Sequence, residues 1–143
     1  MQLTKYTDIS LRVMMHLAII GDELSTINEV SELYNVSKNH LMKVVNKLAT
    51  LGYVKSAQGR GGGISLAVSA KEIGVGDIVR AMESSLNVID CEKAKCPIRS
   101  ACFLKRVLTE ASSVFLKSLD QYTIADLVRN KPQLEKIIYS DMG

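Results

Sequence analysis

Residues Thr26 to Leu48 read T-I-N-E-V-S-E-L-Y-N-V-S-K-N-H-L-M-K-V-V-N-K-L, and this run decides the fold. Thr26, with Glu29 three residues on, is a capping box that starts a helix. Ile27, Val30, Leu33 and Tyr34 give that helix an apolar stripe. Asn35 tolerates the left-handed backbone of a tight turn. Ser37 then caps a second helix, buried through Leu41, Val44, Val45 and Leu48. The pattern is a helix–turn–helix. The second helix keeps Lys38, Asn39, His40, Lys43, Asn46 and Lys47 on its other face. Lysines neutralise phosphates, and Asn or His can hydrogen-bond base edges in a major groove. Ser37, Lys38, Asn39, His40 and Lys43 are therefore the candidate DNA contacts here. An ordinary amphipathic pair with a solvated face has the same pattern, so the flanking segments must decide.

Downstream, Leu51-Gly52-Tyr53-Val54 stops the helix and opens a strand. Tyr53–Val54 and Ile64–Leu66 can pair as a hairpin, with Gly59-Arg60-Gly61-Gly62-Gly63 at its turn. A hairpin directly after such a helix is the wing of a winged helix–turn–helix, and Arg60 at its tip can enter a minor groove. The glycines are not a phosphate loop, because no Gly-Lys-Ser/Thr follows. Upstream, Leu3 to Ile20 predicts a largely buried helix with Ile9, Val13, Leu17 and Ile20 at helical spacing, stopped by Gly21. Asp8 and Arg12 lie four apart and predict a surface ion pair.

From Ser69 to Ser84 the spacing of Ile73, Val75, Ile78, Val79 and Met82 predicts another helix, with Gly74 and Gly76 making its start irregular. All three cysteines follow in one short run, Cys91, Cys96 and Cys102, spaced C-x4-C-x5-C. Zinc sites favour closer pairs, and the only histidines, His16 and His40, lie far upstream. Three soft sulfur ligands on an irregular loop suit an iron–sulfur cluster. Lys93, Lys95, Arg99, Lys105 and Arg106 would offset its charge. Ser100 is the expected cap of the next helix, placing Cys102 in its first turn. Structural or merely reactive thiols remain the plainer alternative.

That next helix is expected from about Ser100 to Leu119. Leu104, Val107, Leu108, Ala111, Val114, Phe115 and Leu119 line one side. Such a face pairs with a symmetry mate or packs on the chain's own first helix. Leu104, Leu108, Ala111 and Phe115 are the expected seam. Thr123 caps a short helix, Ile124 to Val128. Pro132 should lie beyond its end, with a last helical turn or two over Leu134 to Tyr139.

The 143 residues carry a net charge of +3, which suits a nucleic-acid partner without proving one. No signal-peptide pattern opens the chain, and Leu11 to Ile20 is too short to span a membrane. A cytoplasmic protein is expected, where an odd cysteine count argues against a disulfide framework. No Ser-His-Asp or Cys-His constellation suggests an enzyme. The fold class is mostly α with a small β-hairpin. Residues 1–84 form a winged helix–turn–helix unit, and residues 85–143 a cysteine loop and dimerisation helix, within one compact body.

This order of parts resembles the family of small winged-helix iron–sulfur repressors, and within it the nitric-oxide-sensing members. The resemblance spans essentially the whole chain. It rests on Tyr6-Thr7-Asp8, Val36-Ser37-Lys38-Asn39-His40-Leu41, Gly59-Arg60-Gly61-Gly62-Gly63-Ile64, Gly76-Asp77-Ile78-Val79-Arg80, the three cysteines and Tyr122-Thr123-Ile124-Ala125-Asp126-Leu127. The run Gly61-Gly62-Gly63 has one glycine more than the family's usual wing. The resemblance implies a homodimer that binds a palindromic double-stranded DNA operator and represses nitric-oxide detoxification genes. It implies a two-iron or four-iron cluster in each subunit, held by Cys91, Cys96 and Cys102, with Asp8 of the other subunit completing the coordination. A regulator responding through a cluster or thiols to oxygen, iron or cluster status is the alternative.

Overall fold

The computed structural model describes residues 1–142. Helix α1 spans Lys5–Ile20. It starts later than Leu3 because Thr4 is its cap, accepting the Thr7 N–H at 3.3 Å. It ends at Gly21, whose φ of 67° an ordinary residue would resist. Ile9, Val13, Met14 and Leu17 put α1 at the centre of the core.

Helices α2 (Ile27–Tyr34) and α3 (Lys38–Thr50) form the expected pair. The capping box is present, with Glu29 N–H to Thr26 Oγ1 at 3.1 Å and Thr26 N–H to Glu29 Oε2 at 2.9 Å. Asn35 is left-handed at φ 51°, and Ser37 accepts the His40 N–H at 3.3 Å. Leu41, Val44, Val45 and Leu48 are the buried residues of α3.

Strands β1 (Val54–Ala57) and β2 (Gly63–Leu66) pair antiparallel, Val54 opposite Leu66 and Ala57 opposite Gly63. The hairpin does not stand alone. Ser25, just before α2, bridges β2 through Ile64 N–H to Ser25 C=O at 2.8 Å and Ser25 N–H to Ile64 C=O at 3.1 Å.

The helix expected over Ser69 to Ser84 is two pieces, a 3-10 turn at Ala70–Glu72 and helix α4 at Val75–Met82. Between them Ile73 and Gly74 are extended, because Gly74 bridges Thr123 instead of continuing a helix.

Helix α5 runs Phe103–Leu119, which corrects the expected start at Ser100. Turn bonds from Arg99 N–H to Cys96 C=O (3.4 Å) and Ala101 N–H to Ile98 C=O (3.1 Å) hold the chain out of helix up to that point. Cys102, extended at φ −80° and ψ 116°, takes the cap position itself. Its main packing partner in the chain is α4, not α1.

Helix α6 (Ile124–Leu127) has a reciprocal cap between Thr123 and Asp126. The Thr123 N–H, then Arg129, hold the Asp126 carboxyl below its ordinary pKa. Helix α7 (Lys131–Met142) is longer than the expected turn or two. Pro132 falls inside its first turn, where a missing N–H costs no helix bond. Ile138 of α7 packs with Ile19 and Val128 in a satellite cluster. The fold is a winged helix–turn–helix, mostly helical with one hairpin, sealed behind by α4, α6 and α7.

Candidate nucleic-acid interface and cysteine loop

Burial of one α3 face forces the other outward. Ser37, Lys38, Asn39, Lys43, Asn46 and Lys47 are exposed and His40 is half-buried. The helix contains no acidic residue, so three lysines set the sign of its surface. Arg60 stands at the exposed wing tip between Gly59 (φ 86°) and Gly61 (φ 70°). Gly62 has a separate reason: a Cβ there would collide with the Ala57 carbonyl oxygen and lie 2.8 Å from that of Gly59. The wing turns too tightly for any side chain at Gly62.

Three relationships behind this surface are absent from any local reading of the sequence. Tyr6 of α1 stacks on His40, with ring centroids 6.1 Å apart and planes 14° from parallel. Its hydroxyl donates to the Lys43 carbonyl at 3.4 Å, and the Lys47 ammonium stands 5.8 Å from its ring centroid. Second, buried His16 meets Ser25 at 3.1 Å, and the Ser25 hydroxyl donates to Glu29 at 3.2 Å. Burial pushes the His16 pKa below its ordinary value, opposed by the Glu29 carboxylate. Third, Glu83 at the end of α4 accepts from the Thr4 N–H (3.2 Å), the Thr4 hydroxyl (3.1 Å) and the Thr7 hydroxyl. The sequence signal for Tyr6 is faint: an aromatic one turn before Ile9, at the edge of the buried face.

Asp8 forms the expected pair with Arg12 at 3.0 Å, both side chains about half exposed. Cys91, Cys96 and Cys102 are free thiols, each half-buried. The loop is held by near-neighbour bonds such as Cys96 N–H to Cys91 C=O at 3.2 Å and Lys93 N–H to Asp90 at 2.9 Å. Cys91 opens on a cleft of about 520 Å³ between the loop and α5, bordered by Arg80, Lys105 and Asp120. Cys102 opens on another, with Lys105, Arg106 and Ser113. Among the described residues no three His, Cys, Asp or Glu side chains are gathered closely enough to hold a metal ion. The donor set still fits an iron–sulfur cluster: three soft, accessible, unpaired sulfurs beside several cations. No residue from Glu83 to Thr123 is buried, so no core packing stands against the loop closing round a guest.

A family model described as Rrf2, an iron-dependent transcriptional regulator, matches residues 3–130. The chain belongs to the Rrf2 family. The HTH-type transcriptional regulator NsrR of Bacillus subtilis (strain 168) is 46% identical over 142 residues, covering 96% of this chain and 97% of that one. Among solved structures, T. potens IscR matches with TM-score 0.73 and 25% identity over 91% of this chain and 88% of that one. The oxidized form of Staphylococcus aureus CymR matches with TM-score 0.72 and 26% identity over 90% and 97%. This Rrf2 chain is thus a transcriptional regulator and not an enzyme, as its sequence led us to expect. Among the described residues no helix is long and apolar enough to cross a membrane.

Proposed function

We propose that this protein is a cytoplasmic, homodimeric repressor that holds a palindromic operator and releases it when nitric oxide reaches an iron–sulfur cluster. Residues 1–84 would carry the DNA contacts, and residues 85–143 the loop and the seam. Ser37, Lys38, Asn39, His40 and Lys43 of α3, with Arg60 of the wing, are the residues we assign to DNA. Cys91, Cys96 and Cys102 would hold the cluster, and Asp8 of the partner subunit would complete its coordination. Such a group supplies iron centres that bind nitric oxide. A carboxylate is a hard donor among soft sulfurs, so the Asp8 bond would be the weakest of the set. Asp8 has an alternative partner ready in Arg12, 3.0 Å away.

The observation that carries this reading is the pairing of a lysine-faced α3 with a loop of three free thiols that no core packing fixes. The nitric-oxide signal and the detoxification genes in this reading are supported by the sequence resemblance alone. Protein purified without oxygen should show visible absorption that Cys96→Ala abolishes and Asp8→Ala alters. Nitric oxide titrated into the wild type should bleach the colour and weaken DNA binding over the same range. A colourless wild-type protein whose DNA affinity follows oxidants alone would replace this reading with a thiol switch, which the accessibility of all three thiols also suits.

A further inference from the structure

Successive residues on a helix point about 100° apart. Tyr6, Thr7 and Asp8 therefore leave α1 in three directions. Thr7 is buried and donates to Glu83, at the root of the cysteine loop. Asp8 turns outward to Arg12. Tyr6 lies over α3, where it meets His40, Lys43 and Lys47. These positions are spaced by three and four, so one side chain from another helix covers a single stripe of the polar face of α3.

The chemistry of the three contacts is complementary. The phenol ring limits the rotamers of the His40 imidazole by stacking. Its face attracts the Lys47 ammonium. Its hydroxyl uses the second lone pair of a helix carbonyl, at Lys43. Immobilising a rotamer-rich side chain on binding costs conformational entropy. Side chains already held against a ring have lost much of that freedom beforehand.

We infer that Tyr6 is a specificity-determining positioning residue, which presets His40 for base contact and Lys47 for phosphate contact from outside the recognition helix. This rests on the reading of α3 as the DNA-facing helix. Tyr6 itself needs no contact with DNA.

The test uses a duplex selected by the wild-type protein from a random pool, and a scrambled duplex of the same length. Tyr6→Leu keeps an apolar side chain at this half-buried position and removes the ring; Tyr6→Phe keeps the ring and removes the hydroxyl. Tyr6→Leu should bind the selected duplex about tenfold more weakly, or about 1.4 kcal/mol, and the scrambled one less than about threefold more weakly. Tyr6→Phe should stay within about threefold on both. His40→Ala should cost the Tyr6→Leu protein little more, because both changes remove one coupled unit. Losses from Tyr6→Leu and His40→Ala that simply multiply would overturn the inference, as would equal losses on both duplexes or none. Tyr6→Met provides a second apolar filling, and if neither variant folds, Tyr6 is a packing residue and the inference falls. If the wild type selects no sequence at all, the base-reading role of α3 fails first, and this inference with it.

Discussion

The Arg80 guanidinium grips the Asp120 carboxylate with two prongs, Nη1 to Oδ1 at 2.6 Å and Nη2 to Oδ2 at 2.7 Å. The pair joins α4 to the end of α5. It exists because Gly76 has no side chain: a Cβ there would collide with Asp120 Oδ1 and lie 2.9 Å from Arg80 Nη1. Gly76→Ala should therefore push the carboxylate off its partner and lower the melting temperature. In an Asp120→Ala background the same substitution should cost little. The Arg80 hydrogen bonds hold the Asp120 carboxyl below its ordinary pKa. The pair's contribution is thus complete above about pH 4 and lost as pH falls through the lowered value. Equal melting losses from Gly76→Ala in both backgrounds would refute the coupling.

The wing separates two kinds of glycine. Gly61 needs its positive φ but has open space around it, so Gly61→Ala should cost about 1–2 kcal/mol of local strain. At Gly62 the obstacle is backbone, which cannot rotate away. Gly62→Ala should open the turn, costing about 1–3 kcal/mol as overpacking does. Amide exchange in β1 and β2 should accelerate more in Gly62→Ala than in Gly61→Ala.

The outer side of α5 tests the dimer. Leu104, Val107 and Val114 are 59%, 41% and 64% exposed, whereas Leu108 and Phe115 are half-buried by the chain itself. In a homodimer built on α5, as proposed, the exposed Leu104 and Ala111 of the expected seam would meet the partner together with Val107 and Val114, and Leu108 and Phe115 would contribute less. Val114→Glu should change the folding stability of one chain by no more than about 0.5 kcal/mol. It should weaken self-association by several kcal/mol, about 3–5, by burying an unpaired charge. Sedimentation velocity should show monomer; an unchanged dimer would put the seam elsewhere.

His16 gives the fold an acid sensitivity with a definite sign. Its environment consists of Ser25, the Glu29 carboxylate behind it and the edge of Tyr34. Burial lowers its pKa, so the unfolded chain takes up a proton before the folded one does. Stability is full above the unfolded value of about 6.5 and declines as pH falls from there toward the lowered folded value. His16→Gln should flatten the dependence of melting temperature on pH in that window. A wild-type slope in the variant would assign the effect to other groups.

How much of this was legible follows from distance along the chain. The capping box at Thr26 and Glu29, the left-handed Asn35, the Ser37 cap and the four buried residues of α3 are set by neighbours, and each reads directly from the sequence. The break at Gly74 does not, because its cause is Thr123. Ser100 has a capping side chain, but turn bonds from Cys96 and Ile98 keep it out of the cap position. Pro132 lies beyond the end of α6, as expected, and also sits in the first turn of α7, where a proline is at home. Glu83 and Thr4 lie 79 residues apart, and Tyr6 and Lys43 37 apart. No window of local sequence links them. The cysteine spacing suggests a ligand set, but three sulfurs brought together is a property of a closed loop and not of its sequence.

The core around Leu17, Leu41, Leu48 and Ile78 includes Ile124 of α6, and among the described residues between Glu83 and Thr123 only Leu119 packs against it. Small zinc modules differ, since there the metal's binding free energy is itself folding free energy. If the loop holds a cluster as proposed, the winged unit could fold once α6 is made, and loading would be a later and separate event. Under that proposal, a cell short of iron would accumulate finished chains rather than degradable fragments, and restored supply could act on that reserve without new translation.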